Sequence, residues 1–169
     1  MTTIAGATIS DCGLYRYALW RYWEEAARPL PFIMLNPSTA DGAEDDPTIR
    51  KCIGFAKRLG FGGIEVFNLF AYRATDPKNL RAAHYPVGPD NDKIITARLY
   101  DLGLLEKGYV ILAWGANAKN LQRPVELRCH LALSGIRLRA LALTKDGIPA
   151  HPLMLPYSSK LMHLDGTPV

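Results

Sequence analysis

Short apolar runs alternate along this chain with helically spaced apolar positions, and clusters of polar turn formers separate the two patterns. Phe32 to Leu35 reads as a buried strand that stops at Asn36-Pro37-Ser38-Thr39, residues that cannot continue a sheet. Asp46 before Pro47 predicts a helix start, with a side-chain oxygen as cap and a proline where no amide donor is needed. From Pro47 to Leu59, the residues Ile49, Cys52, Ile53, Ala56 and Leu59 share one helical face, and Gly60 supplies the stop. Glu65 to Leu69 is the next strand and runs into a second polar loop, Ala71 to Pro77. Asp90 or Asn91 caps a helix to about Lys107, with Ile95, Leu99 and Leu102 turned inward. Tyr109 to Ala113 is a third strand, ending in Trp114-Gly115-Ala116-Asn117. A helix with Pro124 near its first turn follows to Leu133, then a fourth strand, Leu138 to Leu143, and a last polar loop, Ala150 to Lys160.

Alternation of strand and helix predicts a three-layer α/β/α domain with a mostly parallel core sheet. The aromatic block Tyr15 to Trp23 reads as an edge strand or hairpin within residues 1–31, leading into the Phe32 strand. Right-handed connections bring the four loops after the four core strands to one sheet edge, where open α/β sheets bind ligands. Those loops carry Asn36, then Asn68 with Arg73, then Gly115 with Asn117, then His151 with Ser158. Each alone is an ordinary turn residue; four together predict a site.

Composition narrows the class. A chain of 169 residues, 49% apolar, fits one globular domain spanning 1–169. No apolar run reaches a membrane span, and Met1-Thr2-Thr3 opens no signal peptide; a cytoplasmic protein is expected, and a monomer. Cys12, Cys52 and Cys129 are scattered, which argues against a disulfide framework or zinc knuckle. The net charge is +4: up to Ala118 thirteen basic residues balance thirteen acidic ones, and from Lys119 onward seven basic face three acidic. A polyanion is thus expected to meet the last third, through Lys119, Arg123, Arg128 and Lys160.

Asn36-Pro37-Ser38 at the end of the first strand resembles motif one of the uracil-DNA glycosylase superfamily, whose mismatch-specific members carry G-x-N-P-G. His151-Pro152, with Ser158 beyond it, resembles the second motif, H-P-S-x-x-S. Asn68-Leu69-Phe70-x-x-Arg73-x-x-Asp76-Pro77 resembles the N-V-V-x-x-R-P segment of the thermophilic branch, and Trp114-Gly115-Ala116-Asn117-Ala118 its L-G-A-x-A turn. N-P-S-T-A-D with D-D-P-T-I-R-K-C and N-L-F-A-Y-R is similar still more closely to a bacterial and phage domain family of unassigned function. The resemblance implies a glycosylase-like sheet with strand order 2-1-3-4. It also implies a DNA base N-glycosidase that flips and excises a non-standard or modified base, in repair or phage defence. Nucleotide or RNA stands as an alternative partner.

In that reading Asn36 holds the attacking water and His151 donates to the departing base. Phe70 offers a stacking face, Asn68 or Asn117 reads the base edge, and Pro37, Ser38, Arg73, Gly115, Ser158 and Lys160 contact substrate. Met34 stands where motif one has glycine, and no serine follows His151-Pro152 directly, so an altered pocket is expected. Three scattered cysteines cannot hold the thermophilic branch's four-cysteine iron–sulfur cluster, and no cofactor or metal is expected. Two rivals remain. Asp41, Glu44, Asp45 and Asp46 can be read as the magnesium loop of a nucleotide phosphohydrolase, although acidic residues before a helix also match its dipole. A non-catalytic domain binding modified bases or nucleic-acid ends is the third reading.

Overall fold

The computed structural model describes residues 3–37, 44–74, 77–104 and 108–169. Two strands, β1 (Ile4–Ile9) and β2 (Arg16–Tyr22), form an antiparallel hairpin, followed by β3 (Pro29–Met34), helix α1 (Pro47–Arg58) and β4 (Gly63–Asn68). Helices α2 (Pro77–Ala82) and α3 (Asn91–Asp101), strand β5 (Val110–Leu112), helix α4 (Arg123–Leu133) and strand β6 (Leu138–Arg139) complete the chain order. All six strands join one mixed sheet in the order β1-β2-β4-β3-β5-β6. Pairing is antiparallel at β1–β2 and β2–β4, and parallel at β4–β3, β3–β5 and β5–β6.

The expected four-stranded sheet is therefore enlarged on one side. The aromatic segment from Tyr15 is not an edge: β2 lies between β1 and β4, and its central residues Tyr17, Ala18 and Leu19 are buried. The true edge is β1, whose IAGATI sequence has too little aromatic or bulky content to stand out as a strand. At the other side β6 holds only two residues, because the backbone beyond it leaves the sheet for single bridges, Ala140 with Met162 and Leu143 with Pro149. Helix α3 closes at Asp101 rather than about Lys107, and residues 105–107 lie outside the described ones.

Strand alternation sorts the core into two layers. Leu30, Phe32 and Met34 of β3, Ile64 and Val66 of β4, and Ile111 of β5 pack with Ile49, Cys52, Phe55 and Ala56 of α1. On the opposite face Ile33, Phe67, Val110 and Leu112 meet Ile95 and Leu99 of α3 and Leu127 and Leu131 of α4. Helix α1 begins as its sequence predicts: Asp46 accepts from the Ile49 amide at 2.8 Å, and Pro47 occupies the first turn.

Glu65 is an exception to the apolar rule inside β4. It is 1% exposed, and its carboxylate accepts from Arg98 Nη2 of α3 at 2.6 Å and from the Tyr22 hydroxyl of β2. Removing the cation leaves a buried carboxylate with one remaining donor. Arg98→Met is expected to destabilise the fold by about 1–3 kcal/mol, below the value for a fully buried pair because the Arg98 side chain is 41% exposed. Urea denaturation checks this, and Arg98→Met with Glu65→Gln is expected to recover part of the loss.

Candidate functional site

Parallel pairing places the ends of β3, β4 and β5 side by side, and the loops that leave them enclose a cavity of about 190 Å3. Asn36 after β3, Asn68 at the end of β4, Asn117 after β5 and His151 of the last loop all line it. A wider, more open hollow of about 530 Å3 lies along α3 beside His130, but its lining comes from two helices alone. Only the cavity at the strand ends, among the described residues, collects polar side chains from four separate loops.

Asn36 has its orientation fixed by two carbonyls. Its Nδ2 donates to Ala74 O at 2.7 Å and to Pro37 O at 3.0 Å. Both acceptors demand the NH2 side of the amide, so Oδ1 is the atom left with acceptor capacity. The bond to Ala74 also ties the loop after β3 to the loop after β4.

His151 reaches the site through a tight approach. Beyond β6 the chain turns at Thr144–Ile148 and returns, so that Pro149 O accepts from the Gly115 amide at 2.9 Å. Gly115 adopts φ 77°, ψ 178°, and a Cβ there would stand 2.9 Å from His151 Cβ. His151 then caps the short 3-10 turn Pro152–Met154, with Nδ1 accepting from the Leu153 amide at 3.3 Å. An accepting Nδ1 puts the ring proton on Nε2, leaving Nε2–H as a donor. Burial lowers the His151 pKa, and the nearby Asp46 carboxylate partly opposes that shift.

Asn68 is 1% exposed, and its Nδ2 has no hydrogen-bond partner among the described residues. Buried amide donors are nearly always paired with protein or ordered water, so this one is open to an acceptor within the cavity. Its own backbone is held from behind: Asn91 Nδ2 donates to Asn68 O at 2.9 Å.

Four further lining residues carry chemistry that the loop reading did not assign to a pocket: Arg16, Asp46, Thr48 and Trp114. Arg16 is 3% exposed and opens β2, which is antiparallel to β4, so its start lies at the end where β4 stops. Asp46 and Thr48 arrive with the first turn of α1. In the sequence the Asp46–Pro47 cap signature, the acidic-loop reading and the D-D-P-T-I-R-K-C segment pointed toward that turn, none of them as a wall of this cavity. Met34, where the resembled motif has glycine, is buried and lines the cavity too.

Other expected contacts fall elsewhere. Pro37 is buried but does not line the cavity, Ser38 lies outside the described residues, and Phe70 packs into the α3–α4 core layer. Arg73 is exposed and donates to Gly13 O at 3.3 Å. Ser158 and Lys160 are exposed and do not line the cavity. The acidic-loop residues are already engaged: Asp45 pairs with Arg21 at 2.7 Å, Asp46 caps α1, and Asp41 is outside the described residues. Among the described residues no group of three or more His, Cys, Asp or Glu could hold a metal ion. In the basic last third Arg128 and Lys160 are exposed, whereas the other two expected cations are paired. Arg123 is 8% exposed and bound to Asp92 and to Leu69 O, and Lys119 pairs with Asp146 at 3.0 Å.

Two outcomes follow from this geometry. Gly115→Ala forces a side chain into a backbone region open essentially to glycine and against His151, with an expected loss of about 1–3 kcal/mol in thermal or urea unfolding. His151 has its folded pKa below the unfolded value of about 6.5, so the unfolded chain takes up the proton first. Its contribution to stability is therefore complete above that value and declines as pH falls through it. Unfolding free energy measured from pH 8 to 5 is expected to fall less steeply in His151→Gln.

No curated protein and no solved structure matches the chain. A family described as "Protein of unknown function (DUF1643)" matches residues 16–153, which include β2 through the last cavity-lining residue, His151. The chain belongs to the DUF1643 family.

Proposed function

We propose that this protein is a base N-glycosidase of the uracil-DNA glycosylase kind, acting on a non-standard or modified base flipped out of DNA. The observation that carries the reading is the pairing of an oriented acceptor and an oriented donor in one small cavity. Asn36 is turned by Ala74 O and Pro37 O so that Oδ1 can accept from a water, and His151 is fixed with Nε2–H as donor. The parallel order β4-β3-β5-β6, with Asn36 and His151 at one sheet end, supports the same relationship.

Cleavage of the glycosidic bond places positive charge on the sugar and negative charge on a carbonyl oxygen of the leaving base. The water held by Asn36 Oδ1 adds to the sugar carbon as the bond to the base nitrogen breaks, and its proton passes to solvent. The His151 Nε2–H stabilises the oxygen of the departing base. A neutral ring suits this role, because its Nδ1 must stay unprotonated to keep the Leu153 bond. Asn68 Nδ2 supplies an unmet donor for a second acceptor on the base. The cavity volume, about 190 Å3, is below the ~300–1,000 Å3 of drug-sized sites and suits one heterocycle better than a whole nucleotide.

The test is incubation with oligonucleotides carrying uracil, hydroxymethylated or glucosylated pyrimidines, with abasic sites revealed by alkali. Asn36→Ala, checked first for folding, is expected to lower the release rate about 30- to 1,000-fold, that is ~2–4 kcal/mol of transition-state stabilisation. His151→Ala should cost a similar factor, and the double variant less than the product of the two. Full turnover in both folded single variants, together with its loss in Asp45→Ala, would place the chemistry on the acidic loop and end the glycosidase reading. Binding without release from any probe, and surviving Asn36→Ala, would make the protein a base-binding domain instead.

A further inference from the structure

Helix α1 carries Arg50, Lys51, Lys57 and Arg58 and no acidic residue. Seven residues separate Arg50 from Lys57 and Lys51 from Arg58, so each pair stacks in a column about 10 Å long on the outer helix face. Among the described residues none of the four makes an ion pair with a carboxylate. Among the described residues, Arg50 and Arg58 hydrogen-bond to backbone carbonyls, those of Asp45 and Gly54.

A second observation concerns Tyr157, which follows the His151 turn and lies across this helix. Its ring sits over Gly54, where a Cβ would stand 2.4 Å from the hydroxyl oxygen, and packs against Phe55 at 5.1 Å between centroids. Lys51 Nζ is 4.1 Å from the ring centroid and Arg58 Cζ is 3.9 Å from it. One exposed ring thus holds two cations within about 8 Å of each other, with no described carboxylate to offset their repulsion. Lys57 is held in the same manner over Trp23, 5.2 Å from the ring. Cations immobilised on aromatic faces and lacking counter-charges are arranged for an anion that arrives from outside.

The anion's nature follows from the neighbouring residues. The first turn of α1, through Asp46, Thr48 and Ile49, forms a wall of the cavity, and the cationic columns run outward from that wall. We propose that the outer face of α1, with Tyr157, seats the sugar-phosphate backbone of the strand whose base enters the cavity. The inference rests on the glycosidase reading for the base, and it adds which surface of the protein holds the strand. It moves the polyanion contact from the last third of the chain, where the sequence count places it, to α1.

Fluorescence anisotropy with a labelled single-stranded oligonucleotide, titrated with salt, tests this. Each phosphate contact on a single strand contributes about 0.7 to the slope of log affinity against log salt, so Lys51→Gln with Arg58→Gln should flatten it by roughly 1.4. Arg50→Gln with Lys57→Gln leaves the Tyr157 contacts alone and should flatten it comparably, which guards against a loosened Tyr157 segment in the first pair. Thermal melts confirm that each pair is folded. An unchanged slope in both pairs, or a flattening seen only with Arg128→Gln, overturns the proposal, as does a wild type that fails to bind at low salt. Base release is recorded on the same samples. Flattened slopes without release from wild type would retire the glycosidase reading and keep this one; release with slopes unaltered in both pairs would do the reverse.

Discussion

The two-sided parallel pairing of β3 is the constraint on which the rest depends. Its Phe32 and Ile33 register with Ile111 and Leu112 on one side, and its whole length from Pro29 to Met34 registers with Gly63 to Asn68 on the other. The ladder continues past the strand, with Leu69 and Phe70 amides donating to Met34 O and Leu35 O, and Ala113 donating to Ile33 O. Backbone groups so deep in a core must be paired, so the strands end in step and their loops begin side by side. Asn36 can therefore reach Ala74 O, and Gly115 can meet the returning chain at Pro149.

Behind this edge, polar groups fix the helices to the sheet. Arg123 of α4 donates to Leu69 O at 2.9 Å and pairs with Asp92 of α3, and Asn91 of α3 holds Asn68 O. Glu65 joins β4 to α3 through Arg98 and to β2 through Tyr22. Each network crosses at least two elements, so a sliding helix would strand a buried polar group. On the cavity wall Asn68 Nδ2 makes no hydrogen bond among the described residues, and away from it the same holds for Asn91 Oδ1 and Arg139 Nε.

Charge shows how far a count along the sequence can mislead. The excess of basic residues sits from Lys119 onward, yet tertiary contacts give Arg123 and Lys119 carboxylate partners. The balanced first part of the chain hides an unbalanced helix, because its acids are consumed elsewhere: Asp45 by Arg21, Asp46 by the α1 cap and Glu65 by Arg98. Pairing in space, not number, decides which cations remain available.

Local chemistry was enough to determine α1. Asp46 and Pro47 set its start, the spacing of Ile49, Cys52 and Ala56 set its buried face, and all of these depend on near neighbours in the chain. The apolar runs at Phe32, Val66 and Ile111 were legible for the same reason, and so were Asn36, Asn68, Asn117 and His151 as polar residues following strands. What only the tertiary structure decided is everything that needs two distant segments. The antiparallel turn of β2 carries Arg16 to the cavity, and nothing near Arg16 in the sequence encodes strand direction. Ser158 resembles a motif residue but leaves the site, because Tyr157 packs on Gly54 and draws the segment over α1. Gly115 was legible as a loop glycine near the site, but the reason for it appears only when His151 arrives 2.9 Å from where its side chain would stand.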